Sequence, residues 1–140
     1  MTNHQTPRVG VAGILVRPDG RVLLVRRTGK TMRGTWAFPG GHLEWGERLI
    51  EAVQREFREE TGLLVRPVKL LHVAEVITND AHYVILDYGV TASQFDVTVG
   101  SDASDWRWVN YREIDALPLA AGMAQCLTQS AVRSWLGWRE

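Results

Sequence analysis

Apolar and polar residues along the chain fall into short blocks with two different periods. Val9 to Val16 is an apolar, β-leaning run, and Val22 to Arg26 is a second. Between them stands Pro18-Asp19-Gly20, a turn in which proline fixes one φ and glycine is free to take a positive one. This pattern predicts a β-hairpin. Trp36 to Phe38 is a short apolar stretch closed by Pro39-Gly40-Gly41. From Glu47 to Thr61 the period becomes helical: Leu49, Ile50, Val53 and Phe57 form one apolar stripe, and Gly62 supplies a stop. Val68 to Ile77 and Tyr83 to Val90 read as longer strands separated by Asn79-Asp80, while Phe95 to Val99 and Trp106 to Val109 read as shorter ones. Trp106 and Trp108 alternate, so one is expected to face the core and the other to face away. Leu119 to Leu136 reads as a second helix with Met123, Leu127 and Trp135 on its buried side. Strands with two separated helices predict an α/β domain with a mixed sheet covered on both faces.

Composition narrows the setting. A chain of 140 residues fits one domain over 1–140, with residues 1–8 as a flexible N-terminal tail. Sixteen basic and sixteen acidic residues leave no global positive field, which argues against a stable nucleic-acid partner. Cys126 is the only cysteine, so no intrachain disulfide can form, and a reducing compartment suits it. Met1 to Arg8 is polar and no apolar signal core follows, and no apolar run reaches membrane-spanning length. A cytoplasmic protein without a membrane partner is the expectation.

The acidic residues are unevenly placed. Six of the nine glutamates lie between Glu44 and Glu60. On a helix, Glu56, Glu59 and Glu60 share a face, being three and four residues apart. Their mutual repulsion opposes the helix and makes sense if a divalent cation sits among them. Oxygen-only ligands suit Mg²⁺ or Mn²⁺ and disfavour zinc. Taken alone, such a face is more often a solvated surface laced with ion pairs, of which Glu51–Arg55 and Arg55–Glu59 are candidates.

The wider pattern tips the balance. The segment from Gly41 to Leu63 resembles the Nudix box, Gly-x5-Glu-x7-Arg-Glu-U-x-Glu-Glu-x-Gly-U, where U is a bulky aliphatic residue. Gly41, Glu47, Arg55, Glu56, Glu59, Glu60 and Gly62 fill the seven fixed positions and Leu63 the last U; Phe57 departs from the pattern at the other U but stays apolar. The flanks resemble the family more loosely, in Trp36 to Glu44 and in Trp108-Val109 followed by an acidic turn and Leu117-Pro118. The resemblance implies an α/β/α sandwich and a metal-dependent pyrophosphohydrolase with Mg²⁺, or Mn²⁺ as substitute. Its substrate would be a nucleoside diphosphate derivative, of the NTP/dNTP or ADP-ribose class. By the same likeness Glu56, Glu59 and Glu60 bind the metal with the carbonyl of Gly41, and Arg55 orients Glu56. Glu47 then braces Arg55 and the helix, and the two glycines shape a bend and a stop. The general base is Glu56 or a late-loop acid, Asp102 or Asp105. A proline about fifteen residues past the box marks the ADP-ribose enzymes, and Thr78 and its neighbours hold none.

Substrate contacts are fainter. Arg26, Arg27, Lys30 and Arg33 cluster ahead of the box as a phosphate grip or a solvated loop. His42 is placed to touch a phosphate, Tyr83 to stack on a base or ribose, and Trp45 lies in the box loop. His4 and His72 carry no signal. The partners expected are a nucleotide-like small molecule and a second copy in a homodimer. A non-catalytic Nudix-fold module that senses or binds a nucleotide is the competing function.

Overall fold

The computed structural model describes residues 6–28, 33–98 and 103–138. The strands are β1 (Arg8–Leu15), β2 (Val22–Arg27), β3 (Trp36–Ala37), β4 (Gly40–His42), β5 (Arg66–Ile77), β6 (His82–Thr91) and β7 (Ala103–Val109). The helices are α1 (Leu49–Thr61), α2 (Tyr111–Ile114), α3 (Met123–Cys126) and α4 (Ser130–Leu136). β1 thus starts at Arg8, inside the stretch expected to be a tail.

The strands form two sheets, ordered β4-β1-β6-β5 and β3-β2-β7. The larger is mixed, with β1 parallel to β6 and antiparallel to β4. The expected mixed sheet is present, with a second, antiparallel sheet beside it, and the expected simple hairpin is corrected. The turn closes as predicted, with Arg17 N–H donating to Arg21 O at 2.8 Å and a bridge between Val16 and Val22. Beyond the bridge β1 and β2 splay into different sheets, because both are buried on both faces and each serves two cores. Ile14 and Ala12 of β1, with Val22 and Leu24 of β2, enter one cluster with Trp36, Ile114, Val132 and Leu136. Val11, Leu15 and Leu23, one residue out of phase, enter the other with Val53, Phe57 and Val90. Helix α1 covers one side and α2–α4 the other, which gives the α/β/α arrangement. Gly13 permits the close approach of α1, since a Cβ there would lie 2.8 Å from the Phe57 ring.

Other differences have local causes. Helix α1 starts at Leu49 because Glu47 is held in a turn, its N–H donating to Glu44 O. Ala52, Val53 and Phe57 form the buried stripe, but Ile50 is half exposed. Gly62, at φ 74°, ends the helix with its N–H donating to Arg58 O. The long helix expected from Leu119 is two short ones. Leu119 bridges to Trp36, and Gly122 takes φ 91°, which no helix accommodates. Phe95 to Thr98 are irregular, though Phe95 and Val97 still pack on the α1-side core. Trp106 is exposed while Trp108 packs on that core, as alternation requires. Among the described residues no helix is long and apolar enough to cross a membrane.

Candidate active site

Arg55 is the hub of the acidic segment. Its Nε and Nη2 donate to the two carboxylate oxygens of Glu47 at 2.6 and 3.0 Å, a bidentate pair. Nη1 donates to Glu56 Oε1 and to Glu59 Oε1, both at 2.8 Å, and Nη2 also reaches the carbonyl of His42 at 2.9 Å. Glu44 stands 3.6 Å away. One guanidinium thus ties the box loop, β4 and two turns of α1 together. The guanidinium beside it holds the Glu47 carboxyl below its ordinary range, and the same carboxylates push Arg55 upward.

The remaining box residues turn toward β4. Glu60 Oε1 accepts the N–H of Gly40 at 2.7 Å. The carboxylate of Glu56 lies against Gly41, where a Cβ would come within 2.2 Å of Glu56 Oε2. Gly41 sits in a strand, paired with Val11, so its service is room for that carboxylate and not the bend expected of it. Gly62 does act as the stop.

The donor set fits a hard divalent cation: Glu56, Glu59 and Glu60 offer only oxygen, and the missing Cβ of Gly41 leaves Glu56 a cradle against the backbone. The three carboxylates are spread over separate donors, Arg55 and the Gly40 N–H, instead of converging on one point.

Beside this segment opens a cleft of about 100 Å³, whose lining includes Gly40, Gly41 and His42 of β4. The His42 and Tyr83 rings stack at 5.7 Å with planes 10° apart. Burial, then the charges of Arg8 and Arg27, lower the His42 pKa, so the cleft favours a neutral imidazole near a positive field. Arg27 lines the cleft. Arg26 and Arg33 are exposed and are not among the lining residues, so among the described members of the basic cluster it is Arg27 that faces this space. Trp45 is fully exposed and likewise does not line it. Asp105 lies within β7 and not on the late loop expected for it, and its Oδ1 accepts the N–H of Trp106 at 2.8 Å. Lys30 and Asp102 lie outside the described residues.

Sequence reading passed over the depth of the cleft. Asp87 of β6, 4% exposed, and Cys126 of α3, 1% exposed, both line it. Burial raises the Asp87 carboxyl to about 7. One signal was available: an aspartate in the middle of the apolar strand Tyr83 to Val90.

Comparison with known proteins agrees with this geometry. The NUDIX domain model matches residues 6–129. The chain belongs to the Nudix family. It is 32% identical over 113 residues to the ADP-ribose pyrophosphatase of Methanocaldococcus jannaschii, covering 79% of this chain and 66% of that protein. It is 43% identical over 65 residues to the 8-oxo-dGDP phosphatase NUDT18 of Mus musculus, a match that spans 46% of this chain and only 20% of the mouse protein. Among solved structures, a MutT NUDIX hydrolase from Burkholderia pseudomallei superposes with a TM-score of 0.79 at 32% identity, over 90% of this chain and 99% of the other.

Proposed function

We propose that this protein is a Mg²⁺-dependent pyrophosphohydrolase that cleaves a diphosphate linkage in a nucleoside diphosphate derivative of the NTP/dNTP or ADP-ribose class. One observation carries the reading: β4 joins the two halves of a hydrolytic site. Gly40 and Gly41 touch Glu60 and Glu56 and also line the cleft with the His42–Tyr83 stack. Acidic chemistry and an aromatic, apolar binding space therefore share one short strand.

In this reading Glu56, Glu59, Glu60 and the Gly41 carbonyl hold Mg²⁺, with Mn²⁺ as substitute. The ion would neutralise phosphate charge and lower the pKa of a water molecule. Glu56 takes the proton from the attacking water, because Arg55 and Gly41 hold its carboxylate at the edge of the cleft. Arg55 positions Glu56 and Glu59, and Glu47 holds Arg55 in place through its bidentate pair. In the cleft, Tyr83 and His42 receive a base or ribose by stacking, and Arg27 faces the phosphates. Relatives named for ADP-ribose and for 8-oxo-dGDP support the substrate class.

A reducing cytoplasmic setting suits the single buried thiol. The exposed apolar residues of the sheet-edge strand β5, Val68, Leu70, Val73 and Ile77, offer a surface for a homodimer, which light scattering would detect.

The test is a substrate panel of NTPs, dNTPs, ADP-ribose and dinucleoside polyphosphates with Mg²⁺, reading release of phosphate or nucleoside monophosphate. Turnover that stops with EDTA and returns with Mg²⁺ or Mn²⁺ is expected. Full activity after exhaustive chelation would overturn the proposal. Thermal stabilisation by a nucleotide without any turnover would favour the binding module instead.

A further inference from the structure

The floor of the cleft holds a second group of metal-ligating side chains, remote in sequence from the box. His72 of β5 and Asp87 of β6 are register partners, and Cys126 of α3 reaches the same point. A ring nitrogen of His72, a carboxylate oxygen of Asp87 and the sulfur of Cys126 all lie within 4.8 Å of one another.

These groups satisfy one another poorly. The Cys126 thiol donates to Asp87 Oδ2 at 3.4 Å, a weak bond for a carboxyl that is 4% exposed. His72 Nε2 is buried and makes no hydrogen bond. Burial raises both the carboxyl and the thiol pKa, so the protein alone leaves their charged forms unstabilised. Buried polar groups normally find partners, and an unpartnered imidazole nitrogen beside a buried carboxyl whose printed side-chain bond is one weak thiol contact points to a missing shared ligand.

The chemistry of the set is specific. One nitrogen, one oxygen and one sulfur form a mixed donor set that suits a borderline-soft ion, whereas Mg²⁺ prefers oxygen alone. Tetrahedral zinc, with bonds of about 2.0 to 2.3 Å, places its ligand atoms roughly 3.5 Å apart, so small rotations would bring this trio to that geometry. Asp87 and Cys126 face the cleft, which leaves a fourth position open toward it.

We propose that His72, Asp87 and Cys126 form a second divalent-metal site, selective for Zn²⁺ over Mg²⁺, with its fourth position open to the cleft. Binding converts the Cys126 thiol to a thiolate bonded to the ion, and the displaced proton leaves to solvent through the cleft, as does any proton on Asp87. The site is independent of the hydrolytic reading, because none of its ligands belongs to the box.

The experiment uses the full chain, stripped with a chelator and titrated with Zn²⁺ against a chromophoric competitor in excess Mg²⁺. Binding of one Zn²⁺ per chain is expected, weakened at least about tenfold in Cys126→Ser and in His72→Gln. It should persist when Glu56 and Glu60 are both changed to Gln. Co²⁺ should give a thiolate-to-metal charge-transfer band that Cys126→Ser abolishes. No stoichiometric binding in the wild type would overturn the proposal. So would binding that survives Cys126→Ser but disappears with the Glu56 and Glu60 changes, which would place the ion at the box. Should Cys126→Ser fail to fold, His72→Gln decides alone, since His72 is less buried than Cys126 and its Nε2 has no hydrogen bond to lose; undiminished binding in that variant overturns the site.

Discussion

The box and the floor border the same cleft, yet they are assembled in opposite ways. In the box, Arg55 binds Glu47, Glu56 and Glu59 at 2.6 to 2.8 Å, and Glu60 takes the Gly40 N–H. Each acid already has a donor, and nearly all of them come from one helix and the loop before it. At the floor, His72, Asp87 and Cys126 come from three elements and share a single contact of 3.4 Å. The first site is rich in bonds that a ligand must rearrange. The second is short of bonds that a ligand would supply. A site written in contiguous spacing can carry its own counterions beside it, at i+1 and i+4. A site assembled by topology has no such neighbours and depends on whatever the fold brings near.

That contrast can be broken most forcefully at Glu56. Glu56→Gln keeps the size and the contact with Arg55 but removes the carboxylate charge. It should lower kcat at least about 100-fold, roughly 2.7 kcal/mol of barrier. Near-wild-type turnover would mean that the box does not perform the chemistry.

Gly41→Ala probes the same carboxylate from the backbone side. The new Cβ would stand 2.2 Å from Glu56 Oε2, so the side chain must leave its cradle. A fall in kcat of about tenfold or more is expected, with an overpacking cost of about 1–3 kcal/mol. Gly20→Ala is the control: at φ 87° with open space around it, it should cost about 1–2 kcal/mol of stability and leave turnover alone. Equal turnover in both variants would remove any special role for Gly41.

Glu59→Gln tests how far the box is self-satisfied. Turnover should drop about tenfold, near 1.4 kcal/mol. Melting of the metal-free protein should barely move. The lost contact of the half-exposed Glu59 with Arg55 is offset by relief of repulsion from Glu56 and Glu60, each on the order of 0.5 kcal/mol. Added Mg²⁺ should raise the melting temperature of the wild type more than that of the variant. Unchanged activity with a clear stability loss would make Glu59 a plain surface ion-pair partner.

The smallest effect is expected at the floor. Without zinc, His72→Gln should shift stability by no more than about 0.5 kcal/mol, because Nε2 has no hydrogen bond to lose. A loss several times larger, measured in the presence of chelator, would show that His72 is already part of a satisfied network.

The amino-acid sequence determined the local features here. Spacing alone put Glu56, Glu59 and Glu60 on one helix face and Arg55 beside them, because a helix converts i, i+3 and i+4 into neighbours whatever surrounds it. Gly62 had to stop that helix, and the alternation in β1 required two buried faces. The tertiary structure decided what depends on register and crossover. It separated β1 and β2 into two sheets, and it held the 119–136 segment out of a helix until after Gly122, whose positive φ precedes α3. It also turned Arg27, not Arg26, toward the cleft, since neighbouring residues on a strand point to opposite faces. His72, Asp87 and Cys126 met only because β5 pairs with β6 and α3 folds back over them. No local rule links residues 15 and 39 positions apart; only a packed chain fixes such distances.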